Sequence, residues 1–423
     1  MQPKASTEAP REGPPRWRAL CCAVALLHAS STLAAGTSDS ALVRAFPSFA
    51  RTPRIPLLAT PSPVEPLGKL EQRLRAETGS AGTAAPWLWV KRDDVADGLV
   101  GGNKARKLEF LLGEAKARHA RAVVTSGRFG TNLGLATAEA ARRNGLHATI
   151  VLAPSPMSHA VQRRLLALHA AGAELRFHSS LAGAIFDVAW LELRAFFHPS
   201  EGSYYIPPSG TSDVGSLGYV NAYFELLEQT GYAGLPDEIV VASATGGTAA
   251  GLLAGSCLAG RWGATRVRAV GVTEGWLQSE WMLRREARDT FRAVRDALAP
   301  AERARVSECD FMESAAALTY VRGYLAPGYG RSDATLDEIV RVVRDTQGME
   351  LDTTYPAKAM RHFLDRARER LRAGDTRRPL LFWNTYAPVD LESVIRNHRW
   401  TDPAAPWRDL PPPFHPLFTE SGR

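Results

Sequence analysis

The 423-residue sequence has very little lysine: seven lysines stand against 44 arginines. Arginine can replace lysine wherever only a positive charge is needed, but it cannot act as an amine nucleophile. A lysine that is kept in an unusual setting is therefore a candidate for amine chemistry. Lys104, which follows Gly101-Gly102-Asn103 at the start of a predicted helix, is in such a setting.

Cysteine is also rare, and its spacing excludes the usual roles of clustered cysteines. The four cysteines form no Cys-x-x-Cys pair, and Cys21 and Cys22 both lie near the N-terminus. The sequence therefore predicts neither a disulfide framework nor a metal site. We expect Cys257 and Cys309 to be unreactive thiols in the core.

The sequence lacks the basic stripe, interleaved with aromatic residues, that is typical of a nucleic-acid-binding surface. The formal net charge is +7, but four of these excess charges lie in residues 1–60. Elsewhere arginines mostly alternate with acidic residues, which is typical of a solvated helix face. We therefore expect no nucleic-acid partner.

Long hydrophobic runs are absent as well. The apolar stretch over residues 19–35 is interrupted by His28, Ser30 and Ser31, and it is too short and polar to span a bilayer. Small residues near its end would permit cleavage, so residues 1–45 are either a signal or transit peptide or a disordered extension. We expect no membrane partner and a cytoplasmic location.

What the sequence does contain is an alternation of short apolar runs and amphipathic segments. This pattern predicts parallel sheets that are covered by helices on both faces. The predicted fold class is α/β, with two doubly wound, mostly parallel sheets and ligand sites at the carboxyl ends of the strands. Strands are predicted at residues 87–91, 122–125, 148–152, 175–178, 239–242, 267–272 and 380–383. Helices are predicted at residues 104–118, 131–143, 158–171, 280–298, 335–346 and 357–372, and one more helix follows a Gly-rich turn and ends at residue 258.

The loop before Lys104 is compatible with more than one chemistry. A phosphate-binding P-loop counted from Gly98 would need glycine at Asn103 and a hydroxyl at Ala105, so that template fails twice. A Schiff base between the Lys104 amine and an aldehyde cofactor fits a desolvated lysine near a helix N-terminus. The alternative is an ordinary lysine in the first turn of a helix, with its amine in solvent.

Two further loops follow predicted strands and lead into predicted helices. Residues 243–251 combine Thr245, Gly246, Gly247 and Thr248 at a helix N-terminus, which suits a bare phosphate group. Residues 125–133 could bind a second anion such as a substrate carboxylate, although Thr131 could equally cap its helix. One lysine, one phosphate loop and one carboxylate loop are what a pyridoxal-phosphate enzyme that acts on amino acids requires.

Several motifs also carry a family resemblance. Lys91-Arg92-Asp93-Asp94, followed by Gly101-Gly102-Asn103-Lys104-Ala-Arg-Lys-Leu-Glu, resembles the fold-type-II pyridoxal-phosphate enzymes, the tryptophan synthase β-like group. Within that group the chain is similar to the branch of 1-aminocyclopropane-1-carboxylate deaminase and D-cysteine desulfhydrase. The motifs Gly218-Tyr219-Val220, Gly328-Tyr329-Gly330 and Leu351-Asp-Thr-Thr-Tyr355-Pro-Ala-Lys358-Ala also fit this branch.

The resemblance implies an architecture and a set of roles. Pyridoxal 5'-phosphate would lie in the cleft between a large domain (46–106 and 206–400) and a small domain (107–205), with an irregular tail over 401–423. Lys104 would carry the cofactor. Asn132 would bind its 3′-oxygen, Thr245, Gly246, Gly247 and Thr248 its phosphate, and Thr131, Tyr329 and Tyr355 would act near the substrate as hydrogen-bonding or acid/base groups.

The sequence departs from the family pattern at three places. The family's Gln-Ser-Asn-His is Gly130-Thr131-Asn132-Leu133 here, so the glutamine and histidine side chains are missing. Pro356 stands where the deaminases have a glutamate that can bind the pyridine nitrogen. Thr385 remains the candidate for that contact, but Tyr386 and Ala387 replace the two glycines that the family has after it.

These departures bear on the expected reaction. A neutral hydroxyl at Thr385 would leave the pyridine nitrogen mostly unprotonated, which disfavours ring opening and suits β-elimination. The resemblance therefore implies a lyase or deaminase of a small amino acid that is D-cysteine desulfhydrase-like and homodimeric. The alternatives are a 1-aminocyclopropane-1-carboxylate deaminase, a β-replacing enzyme like cysteine synthase, and a non-catalytic ligand-binding homologue.

Overall fold

A computed structural model of the chain describes residues 40–58, 61–80, 82, 85–95, 101–197, 202–274, 279–386 and 388–419. Within these ranges the chain forms two separate β-sheets. The strands are β1 (Val64–Pro66), β2 (Leu88–Arg92), β3 (Ala122–Arg128), β4 (His147–Ala153), β5 (Glu174–Phe177), β6 (Ser203–Ile206), β7 (Glu238–Ser243), β8 (Arg266–Gly271), β9 (Leu318–Val321) and β10 (Leu380–Asn384).

Helices connect and cover these strands. Among the described residues, none of them is both long enough and apolar enough to cross a bilayer. The helices are α1 (Ala41–Ala45), α2 (Gly68–Thr78), α3 (Gly102–Ala117), α4 (Asn132–Arg143), α5 (His159–Ala170), α6 (Leu181–Phe197), α7 (Asp213–Thr230), α8 (Gly247–Leu258), α9 (Glu280–Ala297), α10 (Pro300–Arg303), α11 (Ala334–Gln347), α12 (Pro356–Arg372), α13 (Leu391–Arg396) and α14 (Pro416–Thr419).

The larger sheet has the strand order β1-β2-β10-β7-β8-β9, and every pair except β1–β2 is parallel. Alternate residues of its central strands enter two different cores. Ile239 and Val241 pack with α7, α8 and α9, whereas Val240 packs with α2, α11 and α12 on the opposite face. Burial on both faces explains why these strands are continuous apolar runs.

The smaller sheet is all parallel, with the order β5-β4-β3-β6. Val123 and Ile150 pack with α3, α4 and α5 on one face, and Val124 and Val151 pack with α6 on the other. The two sheets together confirm the predicted α/β class. All the strands and helices predicted from apolar runs are present, with ends shifted by a few residues.

Helix α3 packs in the cores of both sheets. Phe110 packs in the core of the larger sheet, whereas Leu108 and Leu111 pack in that of the smaller sheet. Helix α7 crosses α3 very closely: a Cβ on Gly218 would lie 2.1 Å from the carbonyl oxygen of Arg106. The glycine of the Gly218-Tyr219-Val220 motif therefore fixes the position of the helix that begins beside Lys104.

Both predicted terminal segments are partly folded. Residues 41–45, which the sequence assigns to the leader, form α1, and the Leu42 N–H donates to Asn221 Oδ1 at 3.0 Å. The rest of that leader, residues 1–39, lies outside the described residues. Residues 406–419, predicted to be irregular, instead form short helical turns that each begin with a proline, and Phe414 is fully buried. Proline is favourable at the first position of a helix, so a Pro-rich segment can still form such turns. The prolines are therefore a poor reason to predict an irregular tail.

The expectation for the two central cysteines is wrong. Cys257, in α8, and Cys309, which follows α10, form a disulfide across 52 residues. Cys309 is only partly buried, unlike an inert core thiol. A separation of this length leaves no local signal in the sequence, because tertiary packing alone brings the two residues together.

Candidate active site

Lys104 lies in the first turn of α3, near the ends of strands β2 and β10. The Gly102 N–H donates to the Asp93 carbonyl at 3.0 Å, and the Asn103 N–H donates to the Thr385 carbonyl at 3.1 Å. Gly102 has a φ of +61°, a conformation that glycine adopts without a steric penalty. These backbone contacts hold the start of α3, and Lys104 with it, against the larger sheet.

The Lys104 amine is desolvated. Burial lowers the pKa of Lys104 from 10.5 to about 8, and the negative charge of Asp352 opposes this fall. At pH 7 about one amine in ten is then neutral, against about one in 3,000 for an ordinary lysine. The neutral amine is the form that attacks an aldehyde. This environment differs from that of a solvated lysine, the alternative that the sequence leaves open.

The turn between β7 and α8 surrounds a second part of the site. Gly246, with a φ of +88°, is the N-cap of α8, and the first N–H groups of a helix have no partners within it. The hydroxyls of Thr245 and Thr211 are 2.6 Å apart. A Cβ on Gly247 would lie 2.7 Å from Thr211 Oγ1, so the backbone and both hydroxyls border one small space. A helix N-terminus of this kind suits a phosphate group.

Lys107 adds a positive charge to this turn, and sequence reasoning missed it. Its Nζ donates to the Ser209 carbonyl at 3.1 Å and lies 3.3 Å from Thr211 Oγ1. Burial, assisted by the charge of Lys104, lowers the pKa of Lys107 to about 7. A bound phosphate would favour its charged form. The available signal was its spacing, because a lysine three residues after Lys104 lies on the same helix face.

The loop between β3 and α4 contains the residues that the sequence predicts to bind a substrate carboxylate. Thr131 Oγ1 accepts the Gly134 N–H at 3.2 Å, which confirms its helix-capping role. Asn132 begins α4, and within the described residues its amide forms no hydrogen bond, so it can bind a ligand. Leu133 is buried in the apolar core and offers no polar group.

Two tyrosines lie together on loops of the larger sheet. The hydroxyls of Tyr329 and Tyr355 are 2.6 Å apart, and the two rings pack edge to face. Burial raises the pKa of Tyr355, and the neighbouring Tyr329 raises it further. Lys358 Nζ donates to the Gly328 carbonyl and thereby holds the Tyr329 loop against α12.

Asp352 is the acidic residue of the site, and it was not predicted. One of its oxygens accepts the N–H groups of Thr354 and Tyr355, both at 2.7 Å. Burial raises the pKa of Asp352, while these two hydrogen bonds and the charges of Arg164 and Lys104 oppose the rise. The charges of Lys104 and Arg164 thus both act on Asp352, which in turn favours the charged form of Lys104.

The remaining candidates lie where β10 ends and α12 begins. Thr385 is buried and follows β10 directly. Pro356 is the first residue of α12 and has no polar side chain to contact a ligand. Burial raises the pKa of Tyr386, and Asp352 contributes to this rise. The ligand contacts of Thr385, Asn132 and the phosphate loop stay predictions.

These groups match the chemistry of pyridoxal phosphate. Lys104 provides an amine for the aldehyde, and Lys107, Thr245 and Thr248 lie around the N-terminus of α8, whose first N–H groups can donate to a phosphate. The absence of a Cβ at Gly247 keeps its backbone accessible beside these donors. In the part of the chain that is described, no cluster of three or more potential ligands is arranged to bind a metal ion.

Comparison with known proteins supports this assignment. Residues 56–378 match the family described as "Pyridoxal-phosphate dependent enzyme". The D-cysteine desulfhydrase of Klebsiella pneumoniae (strain 342) is 29% identical over 327 residues, which are 75% of this chain and 89% of that protein. The solved structure of an ACC deaminase homologue matches with a TM-score of 0.63 at 27% identity, over 83% of this chain and 98% of that chain.

A more distant structure shares the fold. The processed form of threonine deaminase isoform 2 from Solanum lycopersicum has a TM-score of 0.51 and 18% identity, and it covers 94% of this chain and 99% of its own. The match over residues 56–378 shows that the chain belongs to the pyridoxal-phosphate-dependent enzymes. Pyridoxal 5'-phosphate is its cofactor, as the three loops and the family resemblance predict.

The lowered pKa of Lys104 predicts how cofactor uptake depends on pH. We expect uptake of pyridoxal phosphate by the apo protein to accelerate as the pH rises through about 8, because only the neutral amine attacks an aldehyde. The measurement is the rate of the absorbance change after mixing, over a series of pH values.

Two matched variants distinguish the titration of the Lys104 amine from the titration of the free cofactor. Asp352→Asn removes the charge that raises the Lys104 pKa, so the midpoint should move to lower pH. Asp365→Asn removes an acid that contacts Tyr324 instead, and it should leave the midpoint in place. An unchanged midpoint in Asp352→Asn would contradict the coupling.

Proposed function

We propose that this chain is a pyridoxal-phosphate-dependent lyase of a small amino acid. It removes the α-proton, eliminates a β-substituent and releases a 2-keto acid and ammonia, the reaction type expected of a D-cysteine desulfhydrase. The observation that supports this most directly is the desolvated Lys104 amine, which shares its site with the hydrogen-bonded hydroxyls of Tyr329 and Tyr355.

The residues of the site divide the proton transfers between them. Bound pyridoxal phosphate supplies an electron sink for negative charge at the α-carbon. Lys104, with a pKa of about 8, can accept the α-proton on Nζ, and the Asp352 carboxylate stabilises the resulting ammonium. Tyr355 can donate its hydroxyl proton to the leaving group and regain one from Tyr329, whose side chain is partly exposed to solvent.

The neutral side chains of Thr385 and Pro356 favour elimination over ring opening. Pro356 has no acidic side chain, and Thr385 provides only a hydroxyl, so neither residue would keep a pyridine nitrogen protonated. An unprotonated ring is a weaker electron sink, and a good leaving group then contributes a larger part of the driving force. This reasoning supports a β-substituted amino acid as the substrate.

The test is an amino-acid panel with keto acid and ammonia as the measured products. The panel contains both enantiomers of cysteine, serine and a β-chloro amino acid, together with 1-aminocyclopropane-1-carboxylate, each with and without an added thiol. Keto acid from β-substituted substrates without thiol supports the proposal. A thioether formed at the expense of keto acid indicates β-replacement, and keto acid from the cyclopropane alone indicates a deaminase. Bound cofactor without any product indicates a non-catalytic homologue.

We expect Tyr355→Phe to lower kcat for keto acid release by about 10²- to 10⁴-fold, because it removes the hydroxyl that can protonate the leaving group. The cofactor absorbance and the KM should change little, since the ring and its packing remain. Tyr324→Phe is the matched control, because its hydroxyl binds Asp365 rather than the tyrosine pair. A Tyr355→Phe enzyme with normal kcat would remove Tyr355 from the mechanism.

Two expectations about the whole protein join this proposal. The family resemblance implies a homodimer, which sedimentation velocity would test. The cytoplasmic location depends on the fate of residues 1–39, which an N-terminal sequence of the protein from its native source would establish.

A further inference from the structure

Arg164, on α5, reaches the site from the side of the smaller sheet. Its Nη1 donates to the Gly130 carbonyl at 3.1 Å, and its Cδ lies 3.7 Å from where a Cβ on Gly130 would be. Within the described residues this is its single hydrogen bond, and no carboxylate forms an ion pair with it. A guanidinium has five N–H donors, so most of its binding capacity is available to a ligand.

The positive charge of Arg164 acts on residues that lie on the larger-sheet side of the site. Burial raises the pKa values of Asp352, Tyr355 and Tyr386, and in each case Arg164 opposes the rise. Its guanidinium is therefore within electrostatic range of the groups that surround Lys104. Arg164 therefore places a positive charge beside the site that an anionic ligand can use.

The neighbouring arginine shows that this orientation is specific. Arg163 precedes Arg164 on the same helix, but its Nε donates to Glu392 Oε1 at 2.7 Å on the surface. Arg163 therefore has a carboxylate partner, whereas Arg164 has none among the residues that the structure describes. Removing either side chain removes one positive charge from α5, so the pair offers a matched comparison.

We propose that Arg164 binds a carboxylate of the amino-acid substrate, an inference that rests on the proposed function. The loop between β3 and α4 has glycine at position 130, so it provides backbone groups there but no side chain. Arg164 packs beside that glycine and supplies a planar pair of N–H donors, which matches the geometry of a carboxylate. The substrate carboxylate then lies between Arg164 and the start of α4.

The carboxylate can be the one on the α-carbon or one on the side chain, and two probes distinguish them. Alanine carries only the α-carboxylate, whereas aspartate carries both. The experiment titrates the holoenzyme with both enantiomers of each amino acid and follows the cofactor absorbance, with calorimetry as an independent measure of Kd. It compares wild type with Arg164→Gln, Arg164→Lys and the control Arg163→Gln.

We expect Arg164→Gln to weaken binding by about 10- to 100-fold, the loss expected when a charge-assisted hydrogen bond is removed. Arg164→Lys should recover part of the affinity, and Arg163→Gln should bind like wild type. An equal loss for alanine and aspartate assigns Arg164 to the α-carboxylate, and a loss for aspartate alone assigns it to the side-chain carboxylate.

The proposal is overturned if wild type binds neither amino acid, or if Arg164→Gln binds both as tightly as wild type does. An equal loss in Arg163→Gln also overturns it, because that result would reflect net charge rather than a contact. Binding is measured separately from keto acid release. A wild-type enzyme that binds these probes through Arg164 but converts no amino acid would refute the proposed function and leave this inference standing.

Discussion

Lys104→Ala should lower keto acid release by more than about 10³-fold and leave the protein without the visible absorption of a lysine-bound cofactor. The reason is that one amine provides both the covalent attachment and the proposed base for the α-proton. The measurement compares the spectra of wild type and variant after incubation with pyridoxal phosphate and gel filtration, followed by the keto acid assay at equal protein concentration.

Two controls define what the loss means. Lys104→Arg keeps a positive charge in the first turn of α3 but cannot form the imine, so it should fail as completely as alanine. Lys116→Ala removes an exposed lysine from the end of the same helix and should behave as wild type. A visible band that survives in Lys104→Ala would move the attachment to another of the seven lysines, and Lys107 would be the first to examine.

The parts of this site that local sequence encodes were predictable. Lys104 stands out because glycines precede it and a helix follows, and Thr245 to Thr248 stand out because hydroxyls and glycines open another helix. The hydrogen bonds of Gly102 and Asn103 to Asp93 and Thr385 could not be predicted in this way. The second of these bonds joins residues 282 positions apart, and both form at a junction that only the completed sheet creates.

The missed functional residues share one cause. Lys107, Asp352 and Arg164 lie in three different segments of the chain. Lys107 and Asp352 fall inside motifs that the sequence shows, but those motifs do not indicate a role for either side chain. Their importance comes from burial and from charged groups that are distant in the sequence. The charges of Lys104 and Arg164, for example, both act on the pKa of Asp352. The Cys257–Cys309 disulfide is a further example, because chain spacing gives no indication of contact at that distance.

The motif Lys91-Arg92-Asp93-Asp94 has a structural role. Lys91, in β2, and Asp93, directly after that strand, are buried, whereas Arg92 pairs with Asp94 at 2.8 Å. Burial acts to raise the pKa of Asp93, but Arg106, Lys91 and the Ser62 hydrogen bond together outweigh it and the pKa is lowered overall. Arg106 follows Lys104 by two residues, so this ion pair helps to set the position of the catalytic helix.

Several hydrogen-bond donors converge on Asp93. Arg106 Nη2 lies 2.7 Å from Asp93 Oδ1, and Ser62 Oγ donates to the same oxygen at 2.7 Å. Tyr219 and Trp383 donate to Oδ2 at 2.8 and 2.7 Å. These partners come from the segment before β1, from α3, from α7 and from β10, so one carboxylate joins four parts of the fold.

Asp93→Ala should therefore lower the free energy of unfolding by about 3–5 kcal/mol, because it leaves a buried guanidinium partly uncompensated and two buried donors without an acceptor. Chemical denaturation of the apo protein measures this loss, and weaker retention of pyridoxal phosphate should accompany it as the start of α3 loosens. Glu65→Ala is the control: it removes the exposed partner of Arg92 and should cost less than about 1 kcal/mol. If the two variants are equally stable, the Asp93 carboxylate does not organise the start of α3, and the geometry at Lys104 depends instead on the backbone hydrogen bonds of Gly102 and Asn103 and on the Gly218 crossing.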